Sequence, residues 1–207
     1  MNFTGKRVLI TGGSRGIGKA TAQAFAEAGA RVAINFNSNK VAATDAINSL
    51  TGEGHFAVRA NISHPEAVER MVEAVAGEMG GIDILVNNAG VFIPHPIAEV
   101  SYQAWQEAWQ QTLDTNLTGA ANVTYCVAQQ MIEQGGGRIV FVSSRGAFRG
   151  EPTHPAYGAS KAGMNALAQS LAQALAPHNI FIGTLAPGFV ETDMTTEHLQ
   201  GESGDAI

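Results

Sequence analysis

Short apolar runs, each closed by glycine or a small polar residue, alternate along the chain with stretches of apolar residues at helical spacing. The runs RVLITGG (7–13), RVAINF (31–36), HFAVRANI (55–62), IDILVNNAG (82–90), GRIVFVSS (137–144) and NIFIGTLAPG (179–188) predict six strands. They are apolar nearly throughout instead of alternating, the pattern of strands buried on both faces in a parallel sheet covered by helices. Helices are predicted over 17–30, 40–50, 63–79, 102–133 and 156–176. In the first, Ala20, Ala24 and Ala28 share a face and Gly29 marks the end. Ser63 and Pro65 signal the start of the third. On the long fourth, Leu113, Leu117, Ala120, Val127 and Met131 form a stripe. No repeat or linker interrupts the series. The pattern predicts one α/β domain over 1–207, a doubly wound parallel sheet of Rossmann-like, three-layer α/β/α type.

Composition narrows the setting. The 207 residues are 45% hydrophobic and 14% charged, enough for one full core. A net charge of -6 argues against nucleic acid or an anionic membrane as the main partner. The single cysteine, Cys126, excludes an intrachain disulfide, and no Cys/His spacing suits zinc, so no metal site is expected. The opening apolar run is too short for a signal peptide and no stretch reaches membrane-spanning length, so a cytoplasmic protein is expected. The six histidines are scattered, and each is expected on the surface or in a loop.

The loop TGGSRGIG (11–18) falls between the first strand and first helix, where a dinucleotide pyrophosphate would meet a helix N-terminus. Gly12, Gly16 and Gly18 are spaced G-x-x-x-G-x-G. The second strand ends in INFNSNK (34–40), with no acid to hold a ribose 2′-hydroxyl. Arg15 in the loop, with Asn35, Ser38 and Lys40 nearby, suits a 2′-phosphate and hence NADP(H). NNAG (87–90) ends the fourth strand at the edge where ligands bind, so Asn88, Ala89 and Gly90 are expected to line the cofactor.

Asn116 stands inside the predicted long helix, where asparagine is unfavourable, and marks a local distortion there. Ser143 and Ser144 end the fifth strand, and Tyr157 and Lys161 share a helix face at i, i+4. A lysine cation beside a phenol favours phenolate and is expected to lower the pKa of Tyr157. Ser144 is placed to hold a substrate carbonyl. No G-x-S-x-G surrounds either serine, which speaks against a hydrolase.

Together TGGSRGIG, NNAG, the asparagine of TNLTG, SS…YGASK and APGFVETDM resemble the short-chain dehydrogenase/reductase family, most closely its 3-oxoacyl-acyl-carrier-protein reductases. The resemblance runs from about Lys6 to Met194. It implies an NADPH-dependent reduction of a 3-oxoacyl thioester or similar ketone to a secondary alcohol. Alternatives are a dehydrogenase of a sugar or other alcohol, or a non-catalytic NADP(H)-binding protein. It implies a tetrad of Asn116, Ser144, Tyr157 and Lys161. Tyr157 would be the acid/base, Lys161 would bind the nicotinamide ribose, Ser144 would orient the carbonyl, and Asn116 would anchor a relay water. The cofactor residues it implies are Gly12, Ser14, Arg15, Gly16, Ile17, Gly18, Asn35, Asn61, Ile62, Asn88, Ala89, Gly90, Tyr157, Lys161, Pro187, Gly188 and Thr192.

A homo-oligomer, dimer or tetramer, also follows from the resemblance, with Gly158, Ala159, Ala162 and Gly163 allowing helices to pack closely between subunits. The chain departs from relatives in two places. Asn61 stands where an aspartate is usual, and the ending EHLQGESGDAI is expected to lack the family's last strand and much of its substrate cover. The segment FIPHPIAEV (92–100) is left to shape the substrate site and is compatible with an acyl chain.

Overall fold

The computed structural model describes residues 1–188 and 190. Among these, six strands pair into one parallel sheet: β1 Arg7–Ile10, β2 Arg31–Phe36, β3 Phe56–Arg59, β4 Ile84–Asn87, β5 Gly137–Val142 and β6 Ile180–Leu185. Their order is β3-β2-β1-β4-β5-β6. The chain winds outward in one direction from β1 to β3 and in the other from β4 to β6. That reversal opens a crevice at the carboxyl edge between β1 and β4, where Ile10 pairs with Val86.

Seven helices connect the strands: α1 Gly16–Glu27, α2 Lys40–Asn48, α3 Pro65–Met79, α4 Tyr102–Leu113, α5 Ala120–Glu133, α6 Gly146–Arg149 and α7 Pro155–Leu175. Successive strand residues point to opposite faces, and both faces are covered. Val8, Ile10, Val32 and Ile34 pack under α1 and α2 through Ala22, Ala26, Ala43 and Ala46. Leu9, Leu85, Ile139 and Phe141 pack on the other face against Val72, Val123, Val127 and Met164 of α3, α5 and α7. Double coverage is why the strands read as unbroken apolar runs.

Several local expectations change. The buried face of α1 is Gly18, Ala22 and Ala26, while Ala20 and Ala24 face solvent. A helix of small residues fits its sheet from more than one side, and Gly18, where a Cβ would overlap the Gly12 carbonyl oxygen, favours this one. The N-cap of α3 is His64, and the Ser63 hydroxyl instead donates to Asn61 Oδ1 at 2.9 Å. The predicted helix 102–133 is interrupted by a π-helical turn, Asp114–Gly119, centred on Asn116. β2 ends at Phe36 as expected, while the other strands stop two or three residues early, because their last residues turn into carboxyl-edge loops. Helix α6 has a single turn, too short for periodicity to show.

At the β6 side of the sheet, Phe181 and Leu185 are exposed. Thr192 and the expectation of a missing last strand lie outside the described residues. No helix among the described residues is long and apolar enough to cross a membrane.

Candidate active site

The loop after β1 is held from below by two asparagines. Asn88 Nδ2 donates to the carbonyl oxygens of Thr11 and Gly12 at 2.9 and 3.0 Å. The Thr11 hydroxyl in turn accepts from the N–H groups of Asn88 and Ala89 at 3.0 and 3.1 Å. Asn35 donates to the Ala60 carbonyl at 2.9 Å and accepts from Gly12 N–H at 3.4 Å. The expectation that Asn35 faces the cofactor is therefore corrected: it is buried under the loop. A polar side chain on a strand covered on both faces must find its partners inside the sheet, and Asn35 does.

Two glycines make this cradle possible. Gly12 has φ +63°, and a Cβ there would stand 2.8 Å from Ala89 Cα. A Cβ at Gly18 would overlap the Gly12 carbonyl oxygen. The first turn of α1 contains no acid and no capping side chain, so its positive end opens onto the loop. Arg15 is exposed at that end, Ser14 is half-buried beside it, and Ile17 packs down towards the core. Beyond β2, Asn37, Ser38, Asn39 and Lys40 are exposed and none is acidic.

After β3, Asn61 accepts from Ser63 N–H at 3.1 Å through its side-chain carbonyl. The Ile62 side chain is buried in the core, so only its backbone is left to face a ligand. Pro187 accepts from Arg145 N–H at 3.0 Å, which lays the segment after β6 along the turn that follows β5, and Gly188 beyond it is exposed.

The four tetrad residues converge on this edge. Asn116 is fully buried, and its side chain pairs with both backbone groups of Val91: it accepts from the N–H at 2.7 Å and donates to the carbonyl at 3.0 Å. Its amide also lies 3.2 Å from Ser160 Oγ. With the side chain so engaged, what Asn116 can offer a water is backbone, and a π turn disturbs the regular carbonyl ladder at that place. Gly90 lies between: a Cβ there would be 3.3 Å from Asn116 Oδ1 and 3.7 Å from Lys161 Nζ.

Lys161 is buried and donates to the Val142 carbonyl at 2.7 Å. Burial pushes its pKa down to about 8, so the ammonium is still mainly charged at neutral pH. Nζ lies 5.7 Å from the centre of the Tyr157 ring. Ser144 Oγ accepts from Gly146 N–H at 3.1 Å, which sets the hydroxyl at the β5 turn, and Ser144 hydrogen bonds to the Tyr157 phenol.

The expected lowering of the Tyr157 pKa is not seen in the protein alone. Burial pushes the phenol up, the Ser144 hydrogen bond opposes this, and Glu151 adds to the rise. Desolvation outweighs a lysine whose ammonium is directed at a carbonyl, not at the phenol oxygen. The small residues of α7 also serve inside the chain. Gly158 is buried against the Gly146 carbonyl, and Gly163 packs against the Leu117 side chain. Ala159 and Ala162 are exposed.

The scattered histidines hid two site neighbours. His95 and His154 are in loops, as expected, and both are buried. His154 stacks on Phe92 with centroids 3.5 Å apart, and Phe92 meets the Tyr157 ring edge-on at 4.7 Å. The available signal was proline: His95 lies between Pro94 and Pro96, and His154 precedes Pro155. A hollow of about 320 Å³ at the opposite edge of the sheet, lined by Lys6, Arg7, Asp83 and Arg138, is remote from all of this chemistry. No cluster of metal-ligating side chains occurs among the described residues.

Comparison with known proteins agrees with this geometry. The chain is 37% identical over 195 residues to the 3-oxoacyl-acyl-carrier-protein reductase of Vibrio cholerae serotype O1, covering 94% of this chain and 78% of that protein. A short chain dehydrogenase from Burkholderia cenocepacia, solved in complex with NADP, superposes with a TM-score of 0.90 at 34% identity, over 100% of this chain and 82% of that one. An NAD+-bound xylitol dehydrogenase superposes with a TM-score of 0.85 at 35% identity, over 91% and 72%. Residues 6–203 match the family described as short chain dehydrogenase, and the chain belongs to that family of oxidoreductases.

Proposed function

We propose that this protein is an NADPH-dependent reductase of a ketone, with a 3-oxoacyl thioester as the substrate class its relatives favour. The observation that carries the reading is the convergence of Ser144, Tyr157 and Lys161 beside a glycine loop whose mouth holds a cation and no acid. The cradle fits a dinucleotide. Gly12 and Gly18 let the loop close tightly on Ala89 and on the start of α1, and the open end of α1 suits a pyrophosphate. Arg15 would pair with a 2′-phosphate.

When bound, the reduced dinucleotide supplies a hydride to the carbonyl carbon. The residues of the chain handle the oxygen. Ser144 holds it by hydrogen bond, and the Tyr157 phenol, kept protonated by its burial, gives up its proton as the oxygen gains negative charge. Lys161 stands near enough to steady the phenolate left behind. Carbonyl, hydride and proton together make the alcohol. We extend the reading to a single catalytic domain acting in the cytoplasm as a dimer or tetramer. The exposed aromatic side chains Tyr102 and Tyr125 on α4 and α5 support the oligomer.

The Arg15→Ala variant tests the choice of cofactor. A charge-assisted hydrogen bond is worth about 1.5–3 kcal/mol, so NADPH affinity should fall roughly ten- to hundred-fold while NADH affinity barely moves. Fluorescence titration with both nucleotides reads this directly. Equal loss for the two would show that Arg15 does not read the 2′-phosphate.

A further inference from the structure

Helix α7 carries Tyr157 and Lys161, yet its own N-cap residue, His154, contributes no side-chain capping bond. The Ala156 N–H, in the first turn, is instead met from a residue 61 positions away: it donates to His95 Nε2 at 3.1 Å. On the other side of the same ring, His95 Nδ1 stands 2.7 Å from the Ile93 carbonyl oxygen. A carbonyl only accepts and a backbone N–H only donates. Both contacts are therefore made by one form of the ring, with the proton on Nδ1 and Nε2 bare.

The main chain adds a third tie, because His95 N–H donates to the Thr153 carbonyl at 2.8 Å. Trp105 and Trp109 of α4 meet the ring edge-on at 5.3 and 6.5 Å, and the ring is only 1% exposed. Pro94 and Pro96 restrict the backbone on either side. The same loop carries Phe92, which packs on both His154 and Tyr157. One short loop thus grips the start of α7 at the residues next to and including the phenol.

We propose that His95 is a positioning residue for Tyr157: from the loop beside the substrate site it caps α7 and fixes the phenol against Ser144. The role rests on the ketone reduction proposed above. His95 does not touch the reacting atoms. It acts through Ala156, whose neighbour Tyr157 must place a proton within a fraction of an ångström of the substrate oxygen.

Two variants separate the cap from the volume of the ring. His95→Gln can place an amide oxygen where Nε2 stands, whereas His95→Asn reaches only the position of Nδ1. Loss of the cap in His95→Asn should lower kcat roughly ten- to hundred-fold, with KM and NADPH Kd within about twofold, because geometry and not binding is lost. Hydrogen exchange at the Ala156 amide should quicken in the same variant. His95→Gln should recover most of kcat.

Nitrogen-15 spectra of the histidine ring in the unaltered protein should show the proton on Nδ1, a readout independent of activity and of how the variants fold. A proton on Nε2 would overturn the proposal, as would equal kcat in the two variants. If the unaltered protein reduces no ketone, the proposed reaction fails and the role falls with it. An active protein with the other tautomer removes His95 alone.

Discussion

Tyr157→Phe should lower kcat roughly a thousand-fold, the scale of a positioned general acid, while NADPH binding and the fold are retained. The substitution removes one oxygen. The ring keeps its edge-on contact with Phe92 and its place beside Lys161. What is lost is the phenol proton and the hydrogen bond with Ser144. The raised pKa of Tyr157 gives the expectation a direction: near neutral pH the phenol is the acid, the form a reduction consumes. An unchanged KM with a collapsed kcat is the signature of a group that acts in the transition state. Turnover close to that of the unaltered protein would place the proton donor elsewhere.

The second large effect is expected at the cradle. In Gly18→Ala the new methyl group overlaps the Gly12 carbonyl oxygen, which is itself held by Asn88 at 3.0 Å. Neither group is the end of a flexible chain. Relief requires α1 or the loop to shift, so the variant should lose about 1–3 kcal/mol of stability, as overpacked cores do. NADPH affinity should fall by roughly a hundred-fold or more, because a misplaced helix end no longer meets the pyrophosphate. Thermal unfolding and nucleotide titration check the two halves separately. Normal binding by a destabilised protein would show that the cradle tolerates displacement.

The sheet was legible because its central strands β1, β2 and β4 are buried on both faces, and uniform apolarity records that directly, while β3 is only half-buried and β5 and β6 carry exposed residues. The interruption at Asn116 was legible as well: the asparagine that is wrong for a helix is the one that pairs with the backbone of Val91. Other features lie in distances between remote residues. Asn35 sits at the right place to meet a cofactor, yet its amide is turned to Ala60 and Gly12, which no pattern along β2 reveals. The state of Tyr157 depends on how deeply it is buried, and i, i+4 spacing with Lys161 gives no measure of depth. His95 looks like any loop histidine until α7 is brought beside it. Gly158 and Gly163 invite an intersubunit reading because small residues permit close packing without naming the partner, and here the partners are Gly146 and Leu117 of the same chain.

The proposed reduction is tested by a single assay. The protein is mixed with NADPH and a 3-oxoacyl thioester, and both NADPH consumption and the hydroxy product are followed. The proposed reaction yields one secondary alcohol for each NADPH consumed. NADPH binding without turnover of this thioester or any other ketone supplied would contradict it, leaving a dinucleotide-binding protein that does not reduce carbonyls.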